Sequence, residues 1–281
     1  MLAALEEGVR GGRWYSLMDK VYRLRTLYRA YERVARNKGA AGVDHVTVKE
    51  FTRRLEWNLE RLSESLRLGT YRPQAVKRVW IPKPGSRERR PLGIPTVRDR
   101  VVQTALRIVL EPIFEQRFAE QSYGFRPGRG CKDALRRVDE LLGEGYRYVV
   151  DADLKSYFDT IPHERLLSLV GERVSDGVVL QLVASFLEQG ILDGMSSWTP
   201  EEGTPQGAVI SPLLSNIYLD PLDQLMARRG FQMVRYADDF VILCRTRREA
   251  ERALALVQEW TASAGLRLHP EKTRIADAQE E

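Results

Sequence analysis

Asp238 and Asp239 lie side by side within Met233-Val234-Arg235-Tyr236-Ala237-Asp238-Asp239-Phe240-Val241-Ile242-Leu243-Cys244, and Asp153 closes the run Tyr-Arg-Tyr-Val-Val-Asp-Ala-Asp over residues 146–153. Adjacent like charges repel and cost stability unless a cation lies between them. An Asp-Asp pair also serves as ordinary turn chemistry, so the dipeptide alone decides nothing. A third acid brought to the same place changes the reading. Convergent carboxylates suit two metal ions about 3.5–4 Å apart, which clamp an in-line phosphoryl displacement. Mg²⁺ takes one or two carboxylates together with substrate phosphates. The chemistry this implies is metal-dependent nucleotidyl transfer. One ion would lower the pKa of a primer 3′-hydroxyl, and the other would neutralise the triphosphate and the departing pyrophosphate.

The elements that must position these acids are legible from pattern. Met233, Val234 and Tyr236 suit one strand and Phe240 to Leu243 a second, with Ala237-Asp238-Asp239 at or near the turn of a hairpin. Residues 146–154 read as another strand, whose period of two places Val149, Asp151 and Asp153 on one face. If the strands are neighbours in one sheet, the acids meet at its rim.

Elsewhere the pattern predicts helices over 14–36, 49–68, 98–118, 131–142, 178–187 and 248–264, with Gly69 and Gly265 as C-terminal stops. Pro112 should kink the third of these. Ser211-Pro212 opens a further helix as N-cap and first residue. Residues 75–81 and 87–94 read as a hairpin around Pro82-Lys83-Pro84-Gly85-Ser86. Helices and strands intermingled with hairpin signals argue an α+β fold.

Bulk properties narrow the function classes. With 281 residues the chain can bury a substantial core as one large domain or two closely packed ones. No apolar run approaches the roughly 18 residues that span a bilayer, and Met1 to Arg10 lacks a signal-type apolar segment. The two cysteines, Cys131 and Cys244, fit no metal or disulfide pattern. A reducing, cytoplasmic compartment without membrane attachment is the expectation. Net charge is +5, and it is uneven: residues 67–100 hold ten basic side chains against two acidic ones. That count fits a polyanion partner and a merely solvated basic face equally well.

Seven blocks, in order, resemble the group II intron reverse transcriptases (maturase-type proteins). They are Asn37-Lys38-Gly39-Ala40-Ala41-Gly42-Val43-Asp44, Ile81-Pro82-Lys83-Pro84 through Arg90-Pro91-Leu92-Gly93-Ile94-Pro95, Ser122-Tyr123-Gly124-Phe125-Arg126-Pro127-Gly128-Arg129, Asp151-Ala152-Asp153-Leu154-Lys155-Ser156-Tyr157-Phe158-Asp159, Gly203 to Pro212, the Tyr236-Ala237-Asp238-Asp239 box, and Gly265-Leu266-Arg267-Leu268-His269-Pro270-Glu271-Lys272-Thr273. The resemblance implies an RNA-directed DNA polymerase with a right-hand fold. It would comprise fingers and a palm of antiparallel strands, the thumb being absent from a chain that stops at Glu281. The implied division is an N-terminal extension and fingers over 1–98, palm over 99–160, fingers again over 161–206 and palm over 207–281.

The resemblance also assigns roles. Asp153, Asp238 and Asp239 match the catalytic metal ligands, for two Mg²⁺ ions or Mn²⁺ in their place. Lys83 and Arg90 match positions that hold the incoming triphosphate, where arginine offers a fork to phosphate oxygens and lysine a point charge. Phe158 matches the aromatic gate under the nucleotide sugar, Gln206 a contact to that sugar, and Lys272 a lysine beside pyrophosphate. Asp151 is read as supporting or structural. His45, His163 and His269 match no catalytic position and are read as surface or capping residues. The implied partners are an RNA template with its primer, deoxynucleoside triphosphates, and either intron RNA or a separate thumb-bearing protein. The alternatives are a CRISPR-associated reverse transcriptase of group II origin and a non-catalytic RNA-binding maturase remnant.

Overall fold

The computed structural model describes residues 12–82, 85, 89–205 and 207–280. Among them the strands are β1 (Val76–Pro82), β2 (Arg89–Ile94), β3 (Tyr148–Ala152), β4 (Ile191–Asp193), β5 (Ser196–Trp198), β6 (Gln232–Tyr236), β7 (Asp239–Cys244) and β8 (Arg274–Asp277). The chain divides into two compact units, one of residues 1–116 and 163–211, the other of residues 117–162 and 212–281. No helix among the described residues is long and apolar enough to cross a membrane.

The first unit combines helices with a mixed sheet of order β2-β1-β4-β5. β1 and β2 form the expected hairpin, in register from Lys77↔Ile94 to Pro82↔Arg89. β4 joins β1 in parallel and β5 returns antiparallel to β4, two short strands that the sequence pattern did not reveal. Their three residues each are too few to show alternation. The helix expected over 14–36 is two helices, Met18–Val21 and Leu24–Asn37, separated by the extended backbone of Arg23. The helix expected over 49–68 is also two, Val48–Arg53 and Leu55–Arg67. It breaks at Arg54, where the Asn58 side chain donates to the Phe51 carbonyl at 2.8 Å. Thr47 and Glu50 close the first of these with a reciprocal capping box. Gly69, at φ +68°, ends the second as read from the sequence.

Helix Val97–Glu115 is the core of this unit and packs along Leu24–Asn37. Its expected stripe of Val101, Val102, Ala105, Leu106, Val109 and Ile113 is buried. The polar side of its first turn is buried too. Asp99 is fully enclosed and accepts the Tyr71 hydroxyl at 2.5 Å and the Gln74 amide at 3.0 Å. This helix groups wholly with the first unit.

The second unit is built on an antiparallel sheet of order β6-β7-β3-β8. Helix Arg247–Ser263 packs on β3 and β7, and helix Cys131–Gly143 on β6 and β7. Val150, Ile242 and Leu243 are buried in the sheet, Ala134, Leu141 and Val234 join Leu243 in one apolar cluster, and Gly265 at φ +71° ends the long helix. Central β3, flanked by β7 and β8, carries the run that leads to Asp153.

Candidate active site

β6 and β7 are joined by Ala237 and Asp238 alone, with Tyr236 and Asp239 as the last pair across the hairpin. Two-residue hairpin turns need positive φ, and Ala237 supplies it at 62° despite its Cβ. The turn is held from outside. An added Cβ on Gly124 would run into the Ala237 backbone, so only glycine allows that approach.

Beneath the turn lies Arg235, fully buried. Its guanidinium donates to both Asp223 carboxylate oxygens, to Asn216 Oδ1 at 2.9 Å, to Ser122 Oγ at 2.8 Å and to the Ala237 carbonyl at 2.7 Å. Asp223 is equally buried, and its Oδ2 lies 2.5 Å from the arginine. Burial pushes the Asp223 carboxyl upward, and Arg235 opposes that rise. The attraction of Asp223 lifts Arg235 against its own desolvation. Sequence reading named Arg235 only as part of the strand. The available signal was its place between Val234 and Tyr236 in an apolar strand, where a charge needs a buried partner.

β3 pairs with β7 up to Ala152↔Phe240, so Asp153 follows the last paired residue and shares the sheet end that bears Asp238 and Asp239. The Asp153 carbonyl accepts the His269 amide at 2.7 Å, and the Lys155 amide donates to the Arg267 carbonyl at 2.8 Å. This anchors the 265–273 block beside the acid. Lys272 Nζ reaches Asp153 Oδ2 at 2.6 Å. Desolvation raises the Asp238 carboxyl, with Asp239 and Asp153 adding to the rise. Desolvation also raises Asp239, helped by Asp153 and by Asp151, while Lys272 lowers it. Asp153 thus adds to the rise of both acids at the turn. Asp151 is exposed and lies 4.0 Å from Arg274 Nε, a loose ion pair.

Among the described residues, no group of three His, Cys, Asp or Glu is placed to hold a metal ion as it stands. The donor chemistry nonetheless fits a hard divalent cation: the oxygens are carboxylate, and their mutual repulsion is what a cation relieves. Asp153, Asp238 and Asp239 are the residues that would hold it.

Phe158 follows on the one-turn helix Tyr157–Thr160, entered through Ser156 at φ 52°. It is half-buried, and its ring meets Tyr157 at 5.3 Å and Phe125 at 6.5 Å between centroids, both edge to face. Tyr236, at the foot of the hairpin, is 38% exposed. Asp153, Asp238, Asp239, Lys272 and Phe158 thus all belong to the second unit.

Arg90 belongs to the first unit, exposed on β2 opposite Ile81. Lys83 and Gln206 lie outside the described residues. Gly207, Val209 and Ser211, which follow Gln206, are held by their neighbours. Gly207, at φ +97°, sits so close to Gly93 that an added Cβ would lie 2.5 Å from its carbonyl oxygen. Buried Gln103 accepts the Val209 amide at 2.7 Å, and Ser211 Oγ donates to the Pro205 carbonyl at 3.0 Å. His163, read as a surface or capping residue, bonds the Gly203 carbonyl at 2.6 Å.

Residues 81–281 match the family model described as reverse transcriptase (RNA-dependent DNA polymerase). The group II intron-encoded protein LtrA of Lactococcus lactis subsp. cremoris is 41% identical over 75% of this chain, which spans 34% of that protein. Protein YkfC of Escherichia coli K12 is 37% identical over 85% of this chain and 73% of its own length. Among solved structures, a chain of the partial Cas6-RT-Cas1–Cas2 complex superposes with a TM-score of 0.53 and 24% identity, over 88% of this chain and 41% of that one, a likeness of fold. The chain spans about a third of LtrA, and it belongs to the reverse transcriptase (RNA-dependent DNA polymerase) family, with group II intron-encoded proteins among its relatives.

Proposed function

We propose that this chain catalyses RNA-directed DNA synthesis, adding deoxynucleotides to a primer 3′-hydroxyl, with its second unit as the palm and its first as the fingers. The observation that carries the reading is the sheet end where Asp153 meets the tight β6–β7 turn, with Asp238 and Asp239 raised first by desolvation and further by Asp153. A pure RNA-binding protein has no use for three mutually repelling, partly desolvated carboxylates.

Two Mg²⁺ ions bound there would activate the 3′-hydroxyl and neutralise charge on the triphosphate and leaving pyrophosphate. Asp153, Asp238 and Asp239 supply the anionic oxygens. Lys272, already on Asp153 Oδ2, supplies a positive charge that can transfer from the acid to a phosphate oxygen. Arg90 and Lys83 take the triphosphate, Gln206 the sugar, and Phe158 presents a ring edge where a 2′-hydroxyl would collide. The test is extension of a DNA primer on an RNA template with Mg²⁺, using Asp238→Asn as control. Equal extension by a folded Asp238→Asn protein would overturn the assignment.

A second reading concerns setting rather than chemistry. The fold likeness extends over 88% of the chain to a protein of a Cas6-RT-Cas1–Cas2 complex, which favours a CRISPR-associated reverse transcriptase of group II origin. Co-purification with a Cas1-type integrase would support it, and splicing stimulation of an intron RNA would support the intron setting.

A further inference from the structure

Phe125 occupies a position that turn chemistry alone does not explain. Its φ is 63°, in the left-handed region that bulky side chains rarely adopt, and the residue is 39% exposed. Glycine or asparagine would satisfy such a backbone at lower cost, and solvent gives a phenyl ring no reason to be there.

The loop around it is fixed on both sides. Before it, the Tyr123 amide donates to the Arg235 carbonyl at 2.8 Å, Gly124 lies against the Ala237 backbone, and the Gly124 carbonyl accepts Asn216 Nδ2 at 2.9 Å. After it, the buried Arg126 guanidinium donates to the Ala119 and Ser122 carbonyls at 2.7 and 2.9 Å. It also lies over the Phe118 ring at 5.4 Å. With both neighbours pinned, the residue between them has one direction left, and its ring meets Phe158 at 68°.

We propose that Phe125 is a positioning residue for sugar selection. It backs the Phe158 ring so that the ring cannot swing away from a 2′-hydroxyl. This rests on Phe158 being the gate. A steric gate discriminates only if it does not yield, and Phe158 stands on a helix of four residues with solvent on part of its ring. Tyr157 holds one side, its own hydroxyl tied to the Ser215 carbonyl at 2.9 Å. Phe125 supplies the other contact, and an edge-to-face pair resists rotation as well as translation. The same loop packs on the turn that carries Asp238, so the gate is referenced to the catalytic acids through the protein backbone.

The experiment is single-nucleotide insertion by the full chain on a primed RNA template, comparing kcat/KM for dGTP and GTP. The variants are Phe158→Ala, Phe125→Ala, Phe125→Gly, Phe125→Leu and the Phe125→Ala/Phe158→Ala double. Rejection of an added hydroxyl by an apolar surface is worth on the order of 100-fold, so loss of the backing should lower the dGTP preference about tenfold. The change should come through the GTP constants, with kcat for dGTP nearly kept. Phe125→Leu should restore part of the preference, and the double variant should lose no more than Phe158→Ala. Phe125→Gly relieves the backbone and guards against a folding defect. A fluorine label on the Phe158 ring should give one sharp resonance in the parent and a shifted or broadened one in Phe125→Ala. If Phe158→Ala loses selectivity while Phe125→Ala and Phe125→Gly keep it, the positioning role is wrong. If Phe158→Ala itself keeps it, the gate assignment fails and the proposal falls with it.

Discussion

Asp238 and Asp239 are held in a state that opposes folding. Each carboxyl is raised, first by desolvation and then by neighbouring acids. A group with a raised folded pKa contributes stability below its unfolded pKa, and that contribution is lost as pH rises through the raised value. As pH rises through it the acids ionise, and the ion-free protein then bears their repulsion. Asp239→Asn should therefore melt no lower than the parent in EDTA, and higher if the repulsion is substantial, while primer extension falls at least about 100-fold. A thermal melt paired with an extension assay checks both, and a lower melting temperature would contradict the electrostatic account. Divalent ions should reverse the repulsion. Added Mg²⁺ should raise the melting temperature at pH 7.5 more than at pH about 4, where proton binding has already relieved the charge. An equal rise at both values would place the stabilising ion elsewhere.

At the scale of elements, the β6–β7 hairpin was readable because its two apolar runs bracket a polar pair, and the structure has the turn where that pattern put it. Its support was not readable. Asp223 is on helix Ser211–Arg228, Ser122 in a loop, and Arg235 in a strand; only folding makes them one network. The same holds for Phe125, whose motif was recognised but whose contact with Phe158 depends on an unusual φ. Short β4 and β5 and the broken N-terminal helices were missed for a local reason, since a three-residue strand or one displaced residue leaves the average pattern intact. The network has a stability signature. Arg235→Ala strands a buried carboxylate and should cost about 3–5 kcal/mol in urea unfolding. Arg235→Met with Asp223→Leu removes both charges and should recover much of that loss. Even if stable, the double variant lacks the donor to the Ala237 carbonyl, so its extension rate should stay low. Full activity in that double variant would show that the turn keeps its shape unaided.

Over the whole molecule, charge is the feature that counting residues misjudges. The segment 67–100 reads as ten basic side chains, but folding spends several of them internally. Arg100 is buried and donates to the Ala40 carbonyl at 2.6 Å. Arg98 donates to the Arg72 carbonyl and lies over the Tyr71 ring at 5.0 Å. Arg78 stands between Trp80 and Trp198, at 5.7 and 4.7 Å from their rings. Arg72 donates to the Gly69 and Tyr71 carbonyls at 2.9 and 2.7 Å, while among the described residues Arg67, Arg89 and Arg90 are exposed toward a polyanion. Each phosphate contact releases counterions, so binding to a template–primer should weaken steadily with salt. The slope of log affinity against log salt counts the participating cations. Arg89→Ala should reduce that slope by about one unit, uniformly across template sequences. Arg100→Ala should leave the slope unchanged and instead lower unfolding stability by about 1–3 kcal/mol, because a buried guanidinium loses its charge-assisted hydrogen bond to the Ala40 carbonyl. Fluorescence anisotropy at several salt concentrations, with urea unfolding of the same variants, separates the two effects. If Arg100→Ala changes the salt slope as much as Arg89→Ala does, the buried guanidinium is reaching nucleic acid, and its role in holding the Asn37–Asp44 loop must be reassigned.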